Sequence, residues 1–153
     1  MTASSNREIV RDRFQRMLPR LLLLYADVAK SAGIPEVALQ ALHVLTLHDG
    51  AMYPAELSAQ TGLPRSTVTR VLDTLEEAGF VERVRTPDDG RRFAVHVRSD
   101  RVAPISARFD LYADAMTETT LGFTEAELSV IARYWEELNR AVDSRQPSPS
   151  PSP

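Results

Sequence analysis

Apolar residues recur at helical spacing along most of this chain. The clearest stripe lies between Pro64 and Ala78, where apolar side chains are spaced i, i+3, i+4 and i+7: Val68, Val71, Leu72 and Leu75. At about 100° per residue, the opposite face carries Ser66, Thr69, Arg70 and Asp73, with Arg65 at its margin. This pattern predicts an amphipathic helix whose first two turns present hydroxyl and basic groups outward.

Two helices are predicted in the first 50 residues. The first runs from about Arg7 to Lys30, after a polar start, Met1 to Asn6, that we expect to be frayed. Pro19 lies inside it and should cause a kink or a break, because proline lacks an N–H donor and clashes with the preceding turn. The second, Val37 to Leu47, is apolar enough to be largely buried.

A short helix and a hairpin flank the central helix. Pro54 begins the short helix, and Gly62 allows the positive φ that the following turn needs. After the central helix, Phe80 to Arg85 alternates in the manner of a strand, and Arg91 to Arg98 forms a returning strand across the loop Thr86 to Gly90. We expect this hairpin to be the only sheet, extended at most by one very short strand before Pro54.

Two more helices follow the hairpin. A weak pattern from Asp100 to about Thr120 predicts a fifth helix with Pro104 in its first turn. Thr124 and Glu127 have the spacing of a capping box and open the last helix, whose apolar stripe includes Trp135. The apolar run Leu21 to Leu24 of the first helix favours a dimer or a tightly wrapped bundle, and we assign Trp135 of the last helix to a dimer core.

Composition changes this picture little, whereas the distribution of charge matters. The 153 residues are 43% apolar and 25% charged, which fits an ordinary globular chain, and the absence of cysteine excludes disulfides and thiolate sites. The net charge of −3 argues at first against a nucleic-acid partner. Within the central helix, however, Arg65 and Arg70 come early and the acidic residues come late, between Asp73 and Glu77. The N-terminal end would therefore enter a DNA groove.

The candidate DNA contacts lie on the central helix and the hairpin: Arg65, Ser66, Thr67, Thr69, Arg70, Asp89, Arg91 and Arg92. Guanidinium and hydroxyl groups suit base edges and phosphates, and arginine can bind guanine with two hydrogen bonds. The hairpin arginines would enter an adjacent minor groove, with Asp89 bracing Arg91. The alternative is a solvated helix face and an ordinary polar hairpin tip.

Neither a metal site nor catalytic machinery stands out. The three histidines, His43, His48 and His96, have no cysteine or dense carboxylate cluster beside them, and we expect His43 near a domain junction. There is no Ser-His-Asp order or phosphate-binding glycine loop, so we expect a non-enzyme without cofactor or metal. The apolar run Leu21 to Leu24 is too short to span a bilayer, and no secretory signal is visible. A cytoplasmic protein without a membrane partner is the default expectation.

The order of these elements resembles the MarR family of bacterial transcription regulators, over roughly Arg7 to Arg145. The most specific match is residues 63–83, LPRSTVTRVLDTLEEAGFVER, followed by Asp88 to Arg92, which look like the family's recognition helix and wing. One departure is Val97 to Asp100, where the family commonly has a Leu-Thr and glycine-containing phrase. The resemblance implies a homodimer that binds a palindromic operator, as a repressor or occasionally an activator. It also implies release by a small-molecule effector in a cleft between the dimerisation helices and the winged domain.

We therefore predict a mainly α fold with a small β-hairpin wing, a winged helix-turn-helix flanked by dimerisation helices. The expected parts are an N-terminal dimerisation helix (1–34), a DNA-binding domain (35–99), C-terminal dimerisation helices (100–145) and a disordered Ser/Pro tail (146–153). The expected partners are double-stranded DNA, a second copy of the chain and a small-molecule effector. The alternative, motivated by the acidic balance, is a winged-helix protein-interaction module that does not bind DNA.

Overall fold

Helices form most of the described part of the chain, and a hairpin interrupts them. The computed structural model describes residues 5–86 and 89–145, with the backbone alone for 86 and 89–91, so the predicted Ser/Pro tail lies outside the described residues. The elements are, in order, α1 (Asn6–Ala32), α2 (Glu36–Thr46), α3 (Pro54–Thr61), α4 (Arg65–Glu77), β1 (Val81–Thr86), β2 (Asp89–Val97), α5 (Ser99–Thr120) and α6 (Glu125–Asp143). The prediction of a mainly α fold with a β-hairpin wing is confirmed.

Helix α1 begins earlier than the sequence pattern suggested. Ser5 and Glu8 form a capping box, in which the Ser5 hydroxyl accepts from the Glu8 N–H and the Glu8 carboxylate accepts from the Ser5 N–H. Ser5 is thus the cap and Asn6 the first residue of α1, so the fraying expected for these two is wrong; residues 1–4, for which it was also expected, lie outside the described residues. A kink or a break was expected at Pro19; the break is wrong, because α1 runs through the proline. The carbonyl that loses its partner belongs to Gln15, an exposed residue, so water can replace the lost hydrogen bond.

The hydrophobic core lies where α1, α2, α3, α4 and the base of the hairpin meet. Its largest fully buried side chains include Leu39 and Leu42 of α2, Leu57 of α3, and Leu72 and Leu75 of α4. Such close packing fixes α4 against the rest of the winged domain.

The expected burial along α2 fails at its C-terminal end. Leu47 follows the helix as its C-cap and is 75% exposed, because the chain turns away from the core there.

The hairpin pairs β1 with β2 in an antiparallel register, Val81 opposite Val97 and Arg83 opposite Val95. An irregularity follows Arg85, where Thr86 pairs with Asp89. The strands thus extend into the segment predicted as a loop. The short extra strand expected before Pro54 is present as a single bridge, in which Met52 and Val95 exchange two backbone hydrogen bonds of 3.0 and 2.8 Å.

The last two helices leave much apolar surface exposed. Pro104 is the sixth residue of α5, so its predicted place in the first turn is wrong; the helix already begins at Ser99. The capping box of Thr124 and Glu127 at α6 is confirmed. No residue of α6 is buried, and Trp135 is 44% exposed, with its ring centroid 6.5 Å from that of Phe14 on α1. None of the described helices contains an apolar stretch of the length needed to span a bilayer.

Candidate nucleic-acid interface

The turn between α3 and α4 is held by side-chain hydrogen bonds to the backbone. The Ser58 hydroxyl donates to the Leu63 carbonyl at 2.7 Å, and Ser58 is 6% exposed. The Thr61 hydroxyl donates to the Leu57 carbonyl at 2.6 Å and accepts from the Leu63 N–H at 3.3 Å. Gly62 ends α3 with φ 70°, the left-handed conformation that glycine adopts without a Cβ clash. This turn sets the direction in which α4 leaves α3.

Helix α4 has one buried face and one open face. Its apolar stripe is at most 5% exposed: Val68, Val71, Leu72 and Leu75. Of the predicted contact residues on α4, Thr67 is half-buried and the others are exposed: Arg65, Ser66, Thr69 and Arg70. The structure therefore brings all five together on the first two turns. The Thr69 hydroxyl donates to the Arg65 carbonyl at 3.0 Å, so its oxygen can still accept a hydrogen bond.

The N-terminal end of α4 carries no negative charge of its own. Pro64 occupies the cap position without a side-chain hydrogen bond, and no acidic residue lies in the first turn. In α3 and α6, by contrast, a glutamate in the first turn accepts a hydrogen bond from the cap residue. The first N–H groups of α4 and the positive end of its dipole therefore remain for an external anion, such as a phosphate.

The hairpin places its predicted contact residues on β2. Asp89 and Arg91 lie on this strand, but their side chains fall outside the described part of the structure, as does the proposed bracing of Arg91 by Asp89. Arg92 is exposed, and its guanidinium carbon lies 4.9 Å from the centre of the Tyr53 ring. Tyr53 caps α3, so this contact connects the hairpin to the helix-turn-helix.

Arg83 makes contacts that the sequence pattern did not reveal. Its guanidinium donates to Asp73 at 2.5 Å and to Glu76 at 2.9 Å, both on α4. Its backbone N–H also donates to Glu76, at 3.2 Å. The acidic residues late on α4 are therefore engaged by an arginine of the hairpin, which reduces the negative charge beside the basic first turns.

An aromatic cluster joins the winged domain to the flanking helices. The His43 ring of α2 lies 5.9 Å from Tyr25 of α1 and 5.6 Å from Phe109 of α5, measured between ring centres. Burial lowers the pKa of His43 and raises the pKa of Tyr25. His43 thus lies where α2 meets α1 and α5.

A cleft of about 510 Å³ opens beside this junction. It is lined by the end of α2, by β2 and by the first turns of α5, and the lining includes His48, His96, Ser99 and Ser106. The described residues contain no group of three or more metal-ligating side chains.

Comparisons with known proteins agree with this architecture. Residues 32–92 match a family model described as the MarR family. The chain is 29% identical over 130 residues to the HTH-type transcriptional regulator YcgE of Bacillus subtilis, covering 85% of this chain and 82% of that one. It is 36% identical over 77 residues to the transcriptional repressor MprA of Escherichia coli, covering 50% of this chain and 43% of MprA.

Solved structures show the same fold at lower sequence identity. Streptococcus pneumoniae FabT in complex with DNA has a TM-score of 0.68 at 17% identity, with 91% of this chain and 99% of FabT covered. A MepR variant from Staphylococcus aureus has the same TM-score at 14% identity, with 93% and 99% covered. Residues 32–92, which contain the winged helix-turn-helix, thus match the MarR family of transcriptional regulators, and the chain shares its fold with a solved MarR family protein from Bacillus stearothermophilus, at a TM-score of 0.64, 20% identity and coverage of 92% of this chain and 99% of that one.

Proposed function

We propose that the chain is a homodimeric, sequence-specific DNA-binding regulator, a repressor that a small molecule releases from a palindromic operator. The observation that carries the proposal is the open face of α4, where Arg65 and Arg70 stand beside a helix N-terminus with no acidic cap. The similarity to the repressor MprA supports the repressor role, and the similarity to FabT, whose structure includes DNA, supports DNA binding.

In this proposal α4 lies in the major groove and the hairpin reaches an adjacent minor groove. Arg65 and Arg70 contact guanine edges or phosphates, while the hydroxyls of Ser66, Thr67 and Thr69 contact base edges and backbone. Arg91 and Arg92 enter the minor groove, with Asp89 holding Arg91. Each well-formed arginine–guanine pair is worth about 1–3 kcal/mol of discrimination against other bases.

The test of DNA binding is retardation of the DNA that flanks the protein's own gene. The full chain should retard this DNA in preference to an unrelated duplex of equal length. A variant combining Arg70→Ala with Arg91→Ala should lose most of the retardation while keeping its helical circular-dichroism spectrum. If the wild-type chain retards neither DNA, the protein-interaction module becomes the better description.

The dimer proposal follows from apolar surface that one chain cannot cover. A groove of about 640 Å³ between α1 and α6 is lined by Val10 and Phe14 on one side and Ile131 and Trp135 on the other. All four side chains are between 37% and 46% exposed. Contiguous apolar surface of this kind commonly marks a protein interface. We assign α1, α5 and α6 to dimerisation and residues 35–99 to DNA binding, and a second copy would cover the groove.

Sedimentation of a matched pair of variants tests the dimer. Ile131→Glu places a charge in the groove and should shift the protein from dimer to monomer. Leu47→Glu changes a leucine that is 75% exposed on the winged domain, away from the groove, and should sediment as the wild type does. Equal sedimentation of both variants as dimers would contradict the assignment of this groove.

The effector proposal rests on the cleft between the winged domain and α5. Its volume of about 510 Å³ is in the range of small-molecule sites. A molecule bound there would push α5 away from α2 and β2 and so change the separation of the two α4 helices of a dimer. Those helices must reach major grooves ~34 Å apart, so a small shift would break the register.

A variant that fills the cleft tests this mechanism. Ser106→Trp should abolish the thermal stabilisation given by any metabolite-sized molecule that releases wild-type protein from DNA, while DNA binding persists. A molecule that still releases the Ser106→Trp variant would show that the effector site lies elsewhere.

A further inference from the structure

Arg83 connects the hairpin to α4 through three separate contacts. It is the third residue of β1 and faces the same side of the hairpin as Val81, which is buried. Its two terminal nitrogens donate to Asp73 and Glu76, and its backbone N–H donates to Glu76 as well. Its guanidinium carbon also lies 5.0 Å from the centre of the Phe93 ring on β2. One side chain thus contacts α4 and both strands of the hairpin.

The geometry of these contacts needs an arginine. The guanidinium is planar and rigid, so it can direct separate N–H groups at two carboxylates while its face lies over an aromatic ring. The Arg83 side chain is 23% exposed, whereas Asp73 and Glu76 are 48% and 40% exposed. Partial burial reduces solvent screening and restricts the rotamers of the arginine.

Stability alone accounts poorly for this arrangement. The carboxylates are substantially exposed, and such ion pairs contribute little to folding. The Arg83 Nε is buried and has no hydrogen-bond partner among the described residues, which costs free energy. These contacts add little stability, but they fix the angle between the hairpin and α4.

We infer that Arg83 is a positioning residue that sets the angle of the hairpin relative to α4, so that both reach DNA at once. The inference rests on the DNA-binding function proposed above. When α4 lies in the major groove, the hairpin arginines contact the adjacent groove only if the hairpin is held at the right angle. Without Arg83, α4 still binds the major groove, but the hairpin contributes little to the affinity for DNA.

A double-mutant cycle on DNA affinity tests this coupling. Arg83→Met should weaken binding by at least about fivefold in the wild-type background. In a hairpin variant carrying Arg91→Ala and Arg92→Ala, the same change should cost less than about twofold, because the hairpin contacts are already lost. In an Arg65→Ala background its cost should be unchanged, since the α4 contacts do not depend on the hairpin angle.

A second comparison separates positioning from charge masking. A variant that combines Arg83→Met with Asp73→Asn and Glu76→Gln removes the two negative charges that Arg83→Met would leave unpaired. Its hairpin still lacks the contacts of Arg83 with α4. Positioning predicts that its affinity stays as low as that of Arg83→Met alone. Restoration of wild-type affinity would overturn the inference and assign Arg83 to charge masking.

The outcomes distinguish this inference from the proposed function. If the wild-type chain binds no DNA, the proposed function fails and the inference fails with it. If the wild type binds and Arg83→Met costs the same in the hairpin variant as in the wild type, only the inference is overturned. Circular dichroism establishes that each variant is folded. If Arg83→Met is unfolded, Arg83→Lys replaces it in the same cycle, since lysine keeps the charge but cannot make both directed contacts.

Discussion

Replacing Arg70 with alanine should change the salt dependence of DNA binding by an amount that the structure allows us to estimate. Arg70 is exposed on the open face of α4, and no described side chain forms a hydrogen bond or ion pair with its guanidinium. Its removal should therefore leave the free energy of unfolding within about 0.5 kcal/mol of the wild-type value. Any loss of DNA affinity then reports a lost contact with DNA.

The magnitude follows from the number of charges removed. A dimer loses one guanidinium from each α4. If each contacts a phosphate, the slope of log affinity against log salt becomes less steep by about 1.8, because each neutralised phosphate contributes about 0.9. If each instead binds a guanine, affinity falls by about 1–3 kcal/mol per protomer and the loss is restricted to operators with that base. Fluorescence anisotropy on one operator duplex, from about 50 to 400 mM salt, measures both quantities.

Arg133→Ala is the matched control. Arg133 is 68% exposed on α6, outside the winged domain, and its removal changes the net charge by the same amount. The Arg133→Ala variant should have the DNA affinity of the wild type and the same slope of log affinity against log salt. The reasoning is refuted if Arg70→Ala keeps both the wild-type slope and the wild-type affinity, or if Arg133→Ala lowers the slope equally.

Three further predictions concern the core and the junctions between elements. Leu72→Ala should lower the free energy of unfolding by about 2–5 kcal/mol in denaturant titrations, because Leu72 is 0% exposed and its removal leaves a cavity. Its control, Leu47→Ala at a site 75% exposed, should change the free energy of unfolding by less than about 0.5 kcal/mol. The winged domain should lose stability as pH falls below about 6.5, the ordinary pKa of histidine, because burial lowers the folded-state pKa of His43 and the unfolded chain takes up the proton first. Arg108→Ala should cost less than about 1 kcal/mol, because the ion pair between Arg108 and Asp27 is largely exposed.

The pH prediction has a direct control. The stability contributed by neutral His43 is fully present above the unfolded pKa and is lost as pH falls toward the lowered folded pKa. His43→Phe should therefore flatten the stability profile between about pH 7.5 and 5, whereas His96→Gln should retain the contribution of His43. Identical acid profiles for the wild type and His43→Phe would contradict the assignment.

For the other variants, the contradicting results are equal destabilisation by Leu72→Ala and Leu47→Ala, and a loss of several kcal/mol in the free energy of unfolding on removing Arg108.

Local sequence signals predicted the elements that form the candidate interface. The spacing of Val68, Val71, Leu72 and Leu75 located α4, and Gly62 located the turn before it. These predictions succeeded because the determinants lie within a few residues of one another along the chain. The signal for the start of α1 was also local: the Ser5 and Glu8 capping box is readable in the sequence, although fraying was expected there.

Contacts between distant residues could not be predicted in this way. The arginine that engages Asp73 lies ten positions later, on a strand that only the tertiary fold brings against α4. The aromatic cluster likewise joins Tyr25 and Phe109 through a fold-level approach of α1 and α5. Periodicity gives the buried face of each helix, but the partner of that face depends on the tertiary arrangement.

Prolines were the least reliable of the local signals. Pro104 suggested the first turn of α5, yet the helix begins at Ser99 and includes the proline in its second turn. Pro19 lies within α1 without ending it. In both cases the helix lies at the surface, where water can take the hydrogen bond that proline removes, so the local cost does not decide where the helix ends.

Hydroxyl-radical footprinting of the full chain on the DNA flanking its own gene tests the central claim most directly. The proposal predicts two protected half-sites related by an inverted repeat, with centres about one helical turn, or ~34 Å, apart on one face of the DNA. Protection should disappear from both half-sites with the variant that combines Arg70→Ala and Arg91→Ala. A footprint on a single half-site would contradict the dimer, and the absence of any footprint under conditions where the chain is folded would contradict sequence-specific DNA binding itself.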